Sequence, residues 1–289
     1  MARVYRYDGG PYHTSYIGLV FERSVMMNVF FVPKEREAFG VVVPFDMELD
    51  SELWRWVPAD VDLLITRTPY VDAAVDVDFI REISHADALA RASRSLTAGR
   101  ARTVAYACAS GSFIGGTGGE REIRDAMVAA GAEHALTTSG AFVEALAHLG
   151  VNRVAVATPY VAQLSRFLDR FLREYEVEVV NHGALGFDRE IWGVSQLVTA
   201  DLVREVDHPD AQAILVSCTN LATYDVIAAL EHELGKPVIT ANQATIWAAL
   251  RRLGRSAVGP EQRLLHQTGA IPIVPSAHDV IIGEAETIA

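Results

Sequence analysis

Two cysteines are the residues of this chain with the clearest chemical use, Cys108 in TVAYACASGSF and Cys218 in AILVSCTNLAT. Each ends an apolar, strand-like run and is followed at once by small and hydroxylated residues. A parallel strand that ends in such a turn delivers its last side chains and free backbone N–H groups to the carboxyl edge of a sheet. Two thiols that meet in one cleft in this way would form a two-sided acid–base pair. The alternative is a pair of inert packing thiols, since free Cys is among the most buried residue types.

The elements that must position these thiols form a repeating pattern. Apolar β-branched runs alternate with amphipathic helical stretches from about residue 39 onward, which is typical of βα units around a parallel sheet. The pattern predicts eight strands, at 39–45, 61–68, 103–109, 134–139, 153–160, 177–183, 213–219 and 236–242. The glycine-rich segment 115–120, GGTGGE, lacks a GK[ST] ending and is predicted to be a flexible turn before a helix.

The two halves of the chain repeat the same order of elements. Pro44 precedes Cys108 by 64 residues (108 − 44), and Pro159 precedes Cys218 by 59 (218 − 159). In each half a further strand and a helix that ends near a glycine follow the cysteine. The predicted fold is therefore α/β, with two flavodoxin-like lobes. Their parallel four-stranded sheets are related by a pseudo-two-fold axis, and the active site lies in the cleft between them.

The repeat also predicts the domain boundaries. Lobe one comprises residues 36–140 together with 246–289, and lobe two comprises 141–245, because each fourth strand sends its helix toward the other lobe. Residues 1–35 do not fit the pattern and are predicted to be an N-terminal extension, either an extra strand at 15–22 or a dimer arm.

Composition excludes several classes of function. The net charge of -12 argues against a nucleic-acid binder, and no apolar run approaches the ~18 residues of a membrane span. Two cysteines without a recognisable secretory signal predict a cytoplasmic location with free thiols. We also expect a homo-oligomer, although no particular residue indicates one.

The sequence gives little support for a cofactor. Lys34 and Lys236 are the only lysines, so a Schiff-base cofactor has poor candidates for its attachment. The nine histidines include no HExxH motif, and neither cysteine lies in a CxxC motif. We therefore expect chemistry without a cofactor or a metal.

The residues around both cysteines resemble a known family. YACASGSFIGG, LTTSGAFVEALAHLGVNRVAVATPYV and VSCTNLATYDVIAALEHELGKPVITANQATIWAALRRLG are similar to segments of the aspartate/glutamate racemase superfamily. Within it they resemble the branch of maleate cis-trans isomerases and arylmalonate decarboxylases. The resemblance extends from about Gly40 to Gly254 and implies cofactor-independent chemistry at a carbon next to a carboxylate.

The resemblance also implies the residues of the site. It makes Cys108 and Cys218 the catalytic residues, and both are present in isomerases and racemases, whereas arylmalonate decarboxylases have glycine at the first position. The residues matched to carboxylate binding are Ala109, Ser110, Tyr160, Thr219 and Asn220. Asn242, where the last strand ends near the pocket, and Asp46, at the end of the first strand, are also predicted to bind substrate. From the sequence alone, Tyr160 could instead be a packing residue, and Ser110 and Thr219 could be helix caps.

One departure from the family pattern concerns the first strand. Maleate isomerases carry Pro-Ser-Ser-Asn there, and this chain has Pro44-Phe45-Asp46. An ionised Asp46 would repel a carboxylate and resembles the acidic residue of amino-acid racemases; a helix N-cap is the alternative role. We expect substrate selectivity to lie at Asp46 and Asn220 and at the aromatic positions Phe45, Tyr70 and Phe113.

The leading hypothesis is a cofactor-independent isomerase or racemase of a small carboxylic acid that uses two cysteines, like a maleate cis-trans isomerase. The enzyme alternatives are an arylmalonate-type decarboxylase that uses Cys218 alone and an amino-acid or hydantoin racemase. The alternative from another class is a two-lobed small-molecule binding protein.

Overall fold

The computed structural model describes residues 36–72 and 77–266, and the backbone of three strands before them. These strands, β1 (Arg3–Asp8), β2 (Ser15–Val20) and β3 (Phe30–Phe31), form an antiparallel sheet in that order. The strand β2 lies within the predicted strand at 15–22. Residues 267–289, which the sequence assigned to lobe one, lie outside the described residues.

The first large sheet contains four parallel strands in the order β5-β4-β6-β7. These strands are β4 (Glu37–Val43), β5 (Val61–Arg67), β6 (Thr103–Tyr106) and β7 (His134–Thr137). The helices that accompany them are α1 (Asp50–Trp54), α2 (Val77–Ile83), α3 (Ala86–Ala98), α4 (Ala109–Phe113), α5 (Gly116–Ala129) and α6 (Thr138–Leu149).

The second large sheet also contains four parallel strands, in the order β11-β10-β8-β9. These strands are β8 (Arg153–Tyr160), β9 (Glu178–Phe187), β10 (Ala213–Val216) and β11 (Val238–Thr240). The accompanying helices are α7 (Ala162–Glu174), a 3-10 helix (Ile191–Gly193), α8 (Gln196–Val206), α9 (Tyr224–Leu234), α10 (Ala241–Arg252) and α11 (Arg263–His266).

Both sheets have the same topology. In each, the first and third strands of the half are neighbours at the centre, the second strand is on one edge, and the fourth is on the other. The predicted α/β fold with two flavodoxin-like parallel sheets is confirmed, and the eight predicted strands correspond to β4–β11.

The strands and helices form where apolar residues can be buried. All four residues of β6 and of β10 are buried, as expected for parallel strands covered on both faces. On α7, Leu164, Leu168, Phe171 and Leu172 are buried at spacings that place them on one helical face. In the part of the chain that the structure describes, no helix is long and apolar enough to cross a membrane.

The two halves are joined through their last helices. Helix α10, which follows the last strand of the second sheet, packs against α6 and against β6 and β7 of the first sheet. The hydroxyls of Thr138 and Thr245 are 2.8 Å apart in this contact, and Arg252 forms an ion pair with Glu144. Because α10 is enclosed by the other half, residues 241–250 are all buried.

The glycine-rich segment 115–120 is not the flexible turn that the sequence predicted. Helix α5 begins at Gly116, so most of the segment forms its first turn. The Glu174 carboxylate accepts a hydrogen bond of 2.8 Å from the Thr117 N–H, which satisfies one of the free donors at this helix end. A carboxylate distant in sequence therefore stabilises a helix start that local propensity disfavours.

Candidate active site

A cavity of about 510 Å³ contains both cysteines. Its wall is formed by segments that follow β4 and β6 of the first sheet and β9 and β10 of the second, together with helix α2 and the last residue of β8. Eight of the nine predicted site residues line it: Asp46, Cys108, Ala109, Ser110, Tyr160, Cys218, Thr219 and Asn220. The sequence therefore placed two thiols from equivalent strands at one cavity, as required for chemistry on both sides of a bound molecule.

Cys108 is the N-cap of α4, directly after β6. Its Sγ accepts the Gly111 N–H at 3.3 Å and lies 3.7 Å from the Ser110 Oγ. The Ser112 Oγ donates to the Cys108 carbonyl at 2.7 Å and holds the turn. Cys108 therefore performs the capping that the sequence analysis considered for Ser110.

Cys218 adopts an unusual backbone conformation. Its φ is 136°, a value that L-residues rarely adopt and that costs on the order of 1–3 kcal/mol. The Asn220 N–H donates to its Sγ at 3.3 Å, and the Ser217 N–H before it donates to the Ala157 carbonyl at 2.9 Å. The next helix, α9, has Thr223 as its N-cap, so Thr219 is not a helix cap.

Both thiols have raised pKa values because they are buried. Burial raises the pKa of Cys218 from 9.0 to about 12, and it also raises the pKa of Cys108. The N–H groups of Asn220 and Gly111 lower these two pKa values. The loss of water raises the pKa of each thiol by more than these N–H groups lower it, so both thiols are protonated at neutral pH when the cavity has no substrate.

Each thiol also has a buried tyrosine partner. A hydrogen bond with the Tyr160 side chain lowers the pKa of Cys218, and one with Tyr106 lowers the pKa of Cys108. The Tyr106 hydroxyl donates its single proton to the Ile83 carbonyl at 3.0 Å, which connects β6 to α2, so it must leave that carbonyl in order to donate to a Cys108 thiolate. Burial raises the pKa of both tyrosines well above 10.0, so their hydroxyls remain donors throughout the physiological range.

Asp46 faces the cavity and is connected to the second cysteine turn. The Asn220 side chain donates to the Asp46 carbonyl at 3.0 Å and accepts the Glu48 N–H at 3.0 Å. The Asp46 carboxyl is open to the cavity, yet the surrounding protein displaces much of its water and raises its pKa. Its charge in turn raises the pKa of both thiols. Helix α1 has Leu49 as its N-cap, so Asp46 has no capping role.

Asn242 is the one predicted site residue that does not line the cavity. Its Nδ2 donates to the Thr219 carbonyl at 2.9 Å and to the Glu52 Oε1 at 3.2 Å, behind the cavity wall. Glu52, on α1, also accepts from the Thr223 N–H and Oγ1, each at 3.0 Å. Asn242 therefore supports the turn after Cys218 from behind.

The chain matches the family model described as arylmalonate decarboxylase over residues 75–265. It belongs to the arylmalonate decarboxylase family. This family includes more than one activity among its curated members, as the relatives show. The resemblance to arylmalonate decarboxylases and maleate isomerases is thereby confirmed.

Two curated relatives illustrate the range of this family. The chain is 30% identical over 213 residues to the arylmalonate decarboxylase of Bordetella bronchiseptica, covering 70% of this chain and 87% of that protein. It is 28% identical over 179 residues to the maleate isomerase of Pseudomonas putida, covering 59% and 71%. A crystal structure of a double mutant of arylmalonate decarboxylase in the liganded form superposes with a TM-score of 0.74 at 26% identity. That superposition covers 80% of this chain and 100% of the other.

In this member of the arylmalonate decarboxylase family, several wall residues were missed by the sequence analysis. Helix α2 supplies Phe79, Ile80 and Ile83, and the loop after β9 supplies residues 189–191. Neither segment carries a motif, because the side chains come together only after the chain folds. Of the five predicted selectivity positions, only Asp46 and Asn220 line the cavity.

The three aromatic positions do not line the cavity. Phe45 packs on Tyr70 and Phe79 with ring centroids 5.1 and 5.8 Å apart. Phe113 packs on Tyr160 at 6.2 Å. Phe45 and Phe113 thus support the lining residues Phe79 and Tyr160, whereas Tyr70 packs on Phe45 and is largely exposed.

The backbone strain at Cys218 gives a stability prediction. Glycine adopts φ 136° without the Cβ clash, so Cys218→Gly should be more stable than Cys218→Ala by about 1 kcal/mol. Urea denaturation measures the difference. As a control, Ala107→Gly, at a residue without positive φ, should lower the free energy of unfolding by about 1 kcal/mol. Equal stability of the two Cys218 variants would contradict the strain.

The raised thiol pKa predicts a loss of stability in alkali. The folded pKa of Cys218, about 12, lies above the ordinary value of 9.0, so its stabilising effect is complete below pH 9 and declines above it. Between pH 8 and 10 the wild type should lose about 1 kcal/mol more free energy of unfolding than Cys218→Ser, whose hydroxyl does not titrate there. Parallel pH profiles for the two proteins would refute the buried, protonated thiol.

Proposed function

We propose that this protein is a cofactor-independent isomerase or racemase of a small carboxylic acid, in which Cys108 and Cys218 act on opposite sides of the substrate. The observation that carries this proposal is that both thiols, each at the end of an equivalent strand, line the same cavity. The family is enzymatic, which argues against a purely binding role.

In a racemisation, one of the two thiols first loses its proton to solvent, and the resulting thiolate removes the proton from the carbon next to the carboxylate. The electron pair of the C–H bond moves into the carboxylate and forms an enediolate. The opposite thiol then gives its proton to the other face of that carbon, so thiol and thiolate exchange roles and no further reactant is needed. An ionised Asp46 suits a substrate with an ammonium or another donor near this carbon.

In a cis-trans isomerisation, the Cys108 thiolate adds to one alkene carbon. The C–S bond forms while the π electrons move toward the carboxylate, and the remaining carbon–carbon single bond can then rotate. Elimination breaks the C–S bond and restores both the alkene and the thiolate. Cys218 supplies a proton to the intermediate and removes it again.

Both routes place negative charge on the substrate carboxylate. The Ser110 and Tyr160 hydroxyls, which line the cavity, are the donors available for it. These donors are buried and already oriented, which makes them effective in the transition state. Losing one such donor typically raises the barrier by about 2.7–4 kcal/mol.

The surroundings of the thiols support different roles for them. The pKa of Cys108, although raised by burial, is lowered by three donors, from Gly111, Tyr106 and Ser110. That of Cys218, raised to about 12, is lowered by two, from Asn220 and Tyr160. We therefore assign the thiolate to Cys108 and the proton donor to Cys218 in the first half of the reaction.

Decarboxylation of a substituted malonate is the second candidate. The apolar wall of Phe79, Ile80 and Ile83 on one side of the cavity suits an aryl or alkyl substituent. In this reaction a carboxylate leaves as CO₂, and Cys218 alone protonates the resulting enediolate. Cys108 would then have no chemical role.

Replacing each cysteine tests the proposal. Cys108→Ala and Cys218→Ala should each reduce turnover by about 10²–10⁴-fold, the usual contribution of a positioned proton-transfer group, and each should remain folded. The assay uses maleate, aspartate, a hydantoin and phenylmalonate in deuterated water, where proton NMR reports isomerisation, exchange and CO₂ loss separately. Circular dichroism checks the fold of each variant.

Cys108→Gly separates the two candidates. If decarboxylation is the activity, this variant retains the wild-type rate on phenylmalonate and only Cys218→Ala is inactive. If the two-thiol reaction is correct, both variants lose activity. Wild-type turnover of the preferred substrate by Cys218→Ala would exclude both candidates.

A further inference from the structure

The charged groups at the cavity are unequally distributed. Within the described residues, three acidic or basic side chains line it: Asp46 on the first-sheet side, and Arg189 and Glu190 in the loop after β9 on the second. Arg189 is therefore the only cation of the described cavity wall, in a chain whose net charge is -12. An anionic group that enters the cavity therefore meets positive charge on the described wall only at Arg189.

Arg189 retains most of its hydrogen-bonding capacity. Among the described residues, its Nε is paired with the Asp188 Oδ1 at 3.2 Å. Both side chains are largely exposed to solvent, 71% for Arg189 and 57% for Asp188. Such exposed pairs contribute little and are readily exchanged for another partner. The two terminal nitrogens form a planar fork that matches a carboxylate or phosphate.

The loop that carries Arg189 has a defined conformation. Glu190 is in the left-handed region with φ 51°, and its carbonyl accepts the Gly193 N–H at 2.9 Å. Ile191 is buried against the cavity wall and anchors the turn. Residue 189 is thus held at the cavity by a fixed turn.

The opposite side of the cavity cannot accept a second anion. The first-strand turn presents the Asp46 carboxylate, which repels one, and the Asn220 amide beside it is already bonded to the Asp46 carbonyl and the Glu48 N–H. The donors next to the cysteines are needed by the reacting carboxylate. Charge complementarity leaves the loop after β9 as the place for any further anionic group.

We propose that Arg189 is a specificity-determining residue that binds a second anionic group of the substrate, a carboxylate or a phosphate, on the second-sheet side of the cavity. The proposal rests on the proposed function, since it assumes that the first carboxylate binds beside the thiols. It means that the preferred substrate is asymmetric, with an anionic end toward Arg189 and its neutral or cationic part toward Asp46.

Isothermal titration calorimetry with inert acids tests this subsite without turnover. The wild type should bind succinate and 3-phosphonopropanoate about ten- to hundredfold more tightly than butyrate, the value of one charge-assisted contact. Whichever dianion binds more tightly identifies the preferred group. In Arg189→Ala this advantage should disappear while the affinity for butyrate stays within about twofold. Arg189→Lys should recover part of it, since a lysine has charge but no fork.

Glu190→Gln is the matched control, because it changes the neighbouring wall residue and removes a negative charge. It should strengthen succinate binding and leave butyrate binding unchanged. The inference is overturned if the wild type does not prefer the dianions, or if Arg189→Ala weakens succinate and butyrate equally. These binding results are independent of the cysteine variants, so the loss of either proposal can be recognised separately.

Discussion

A sulfur atom in a protein interior can carry a negative charge only where oriented N–H and O–H donors replace the water that burial has removed. The two thiols of this chain are both buried, and the pKa of each is raised. The donors from Gly111 and Asn220 reduce that cost without cancelling it. The site therefore holds two neutral thiols when it has no substrate. Forming a thiolate there costs free energy, because burial has removed the water that would stabilise its charge. Every other feature of the cavity acts on this balance.

The balance depends on how the two halves are held together, because each contributes one thiol. Asn220 of the second half is bonded to the first-strand turn of the first half. Below it, the buried Glu52 carboxylate joins α1 to Thr223 and Asn242. Its hydrogen bonds offset a desolvation that nevertheless raises the pKa of Glu52. A small rotation between the halves would break these short contacts, so the network restricts the movement of the sulfur atoms.

The same framework can serve different reactions because the wall, not the fold, determines selectivity. This chain shares its fold with a liganded arylmalonate decarboxylase at 26% identity, and its curated relatives include maleate isomerases. The present cavity combines a charge distribution from Asp46 to Arg189 with an apolar side formed by α2. These residues come from loops and from one helix, where substitution does not disturb the sheets.

The sequence by itself determined the eight strands, their order in two equivalent halves, and the delivery of Cys108 and Cys218 to the same cavity. This was possible because strand periodicity and the strand-to-turn transition after each cysteine are local properties of the chain. Tertiary structure alone decided that Asn242 supports the wall from behind and that the glycine-rich segment 115–120 enters a helix whose start is bonded to Glu174. It also decided that Arg189 lines the cavity and that Tyr106 forms a hydrogen bond with Cys108. It also decided the direction of the thiol pKa shifts. These features depend on burial and on partners distant along the chain, and neither is encoded in the residues next to them.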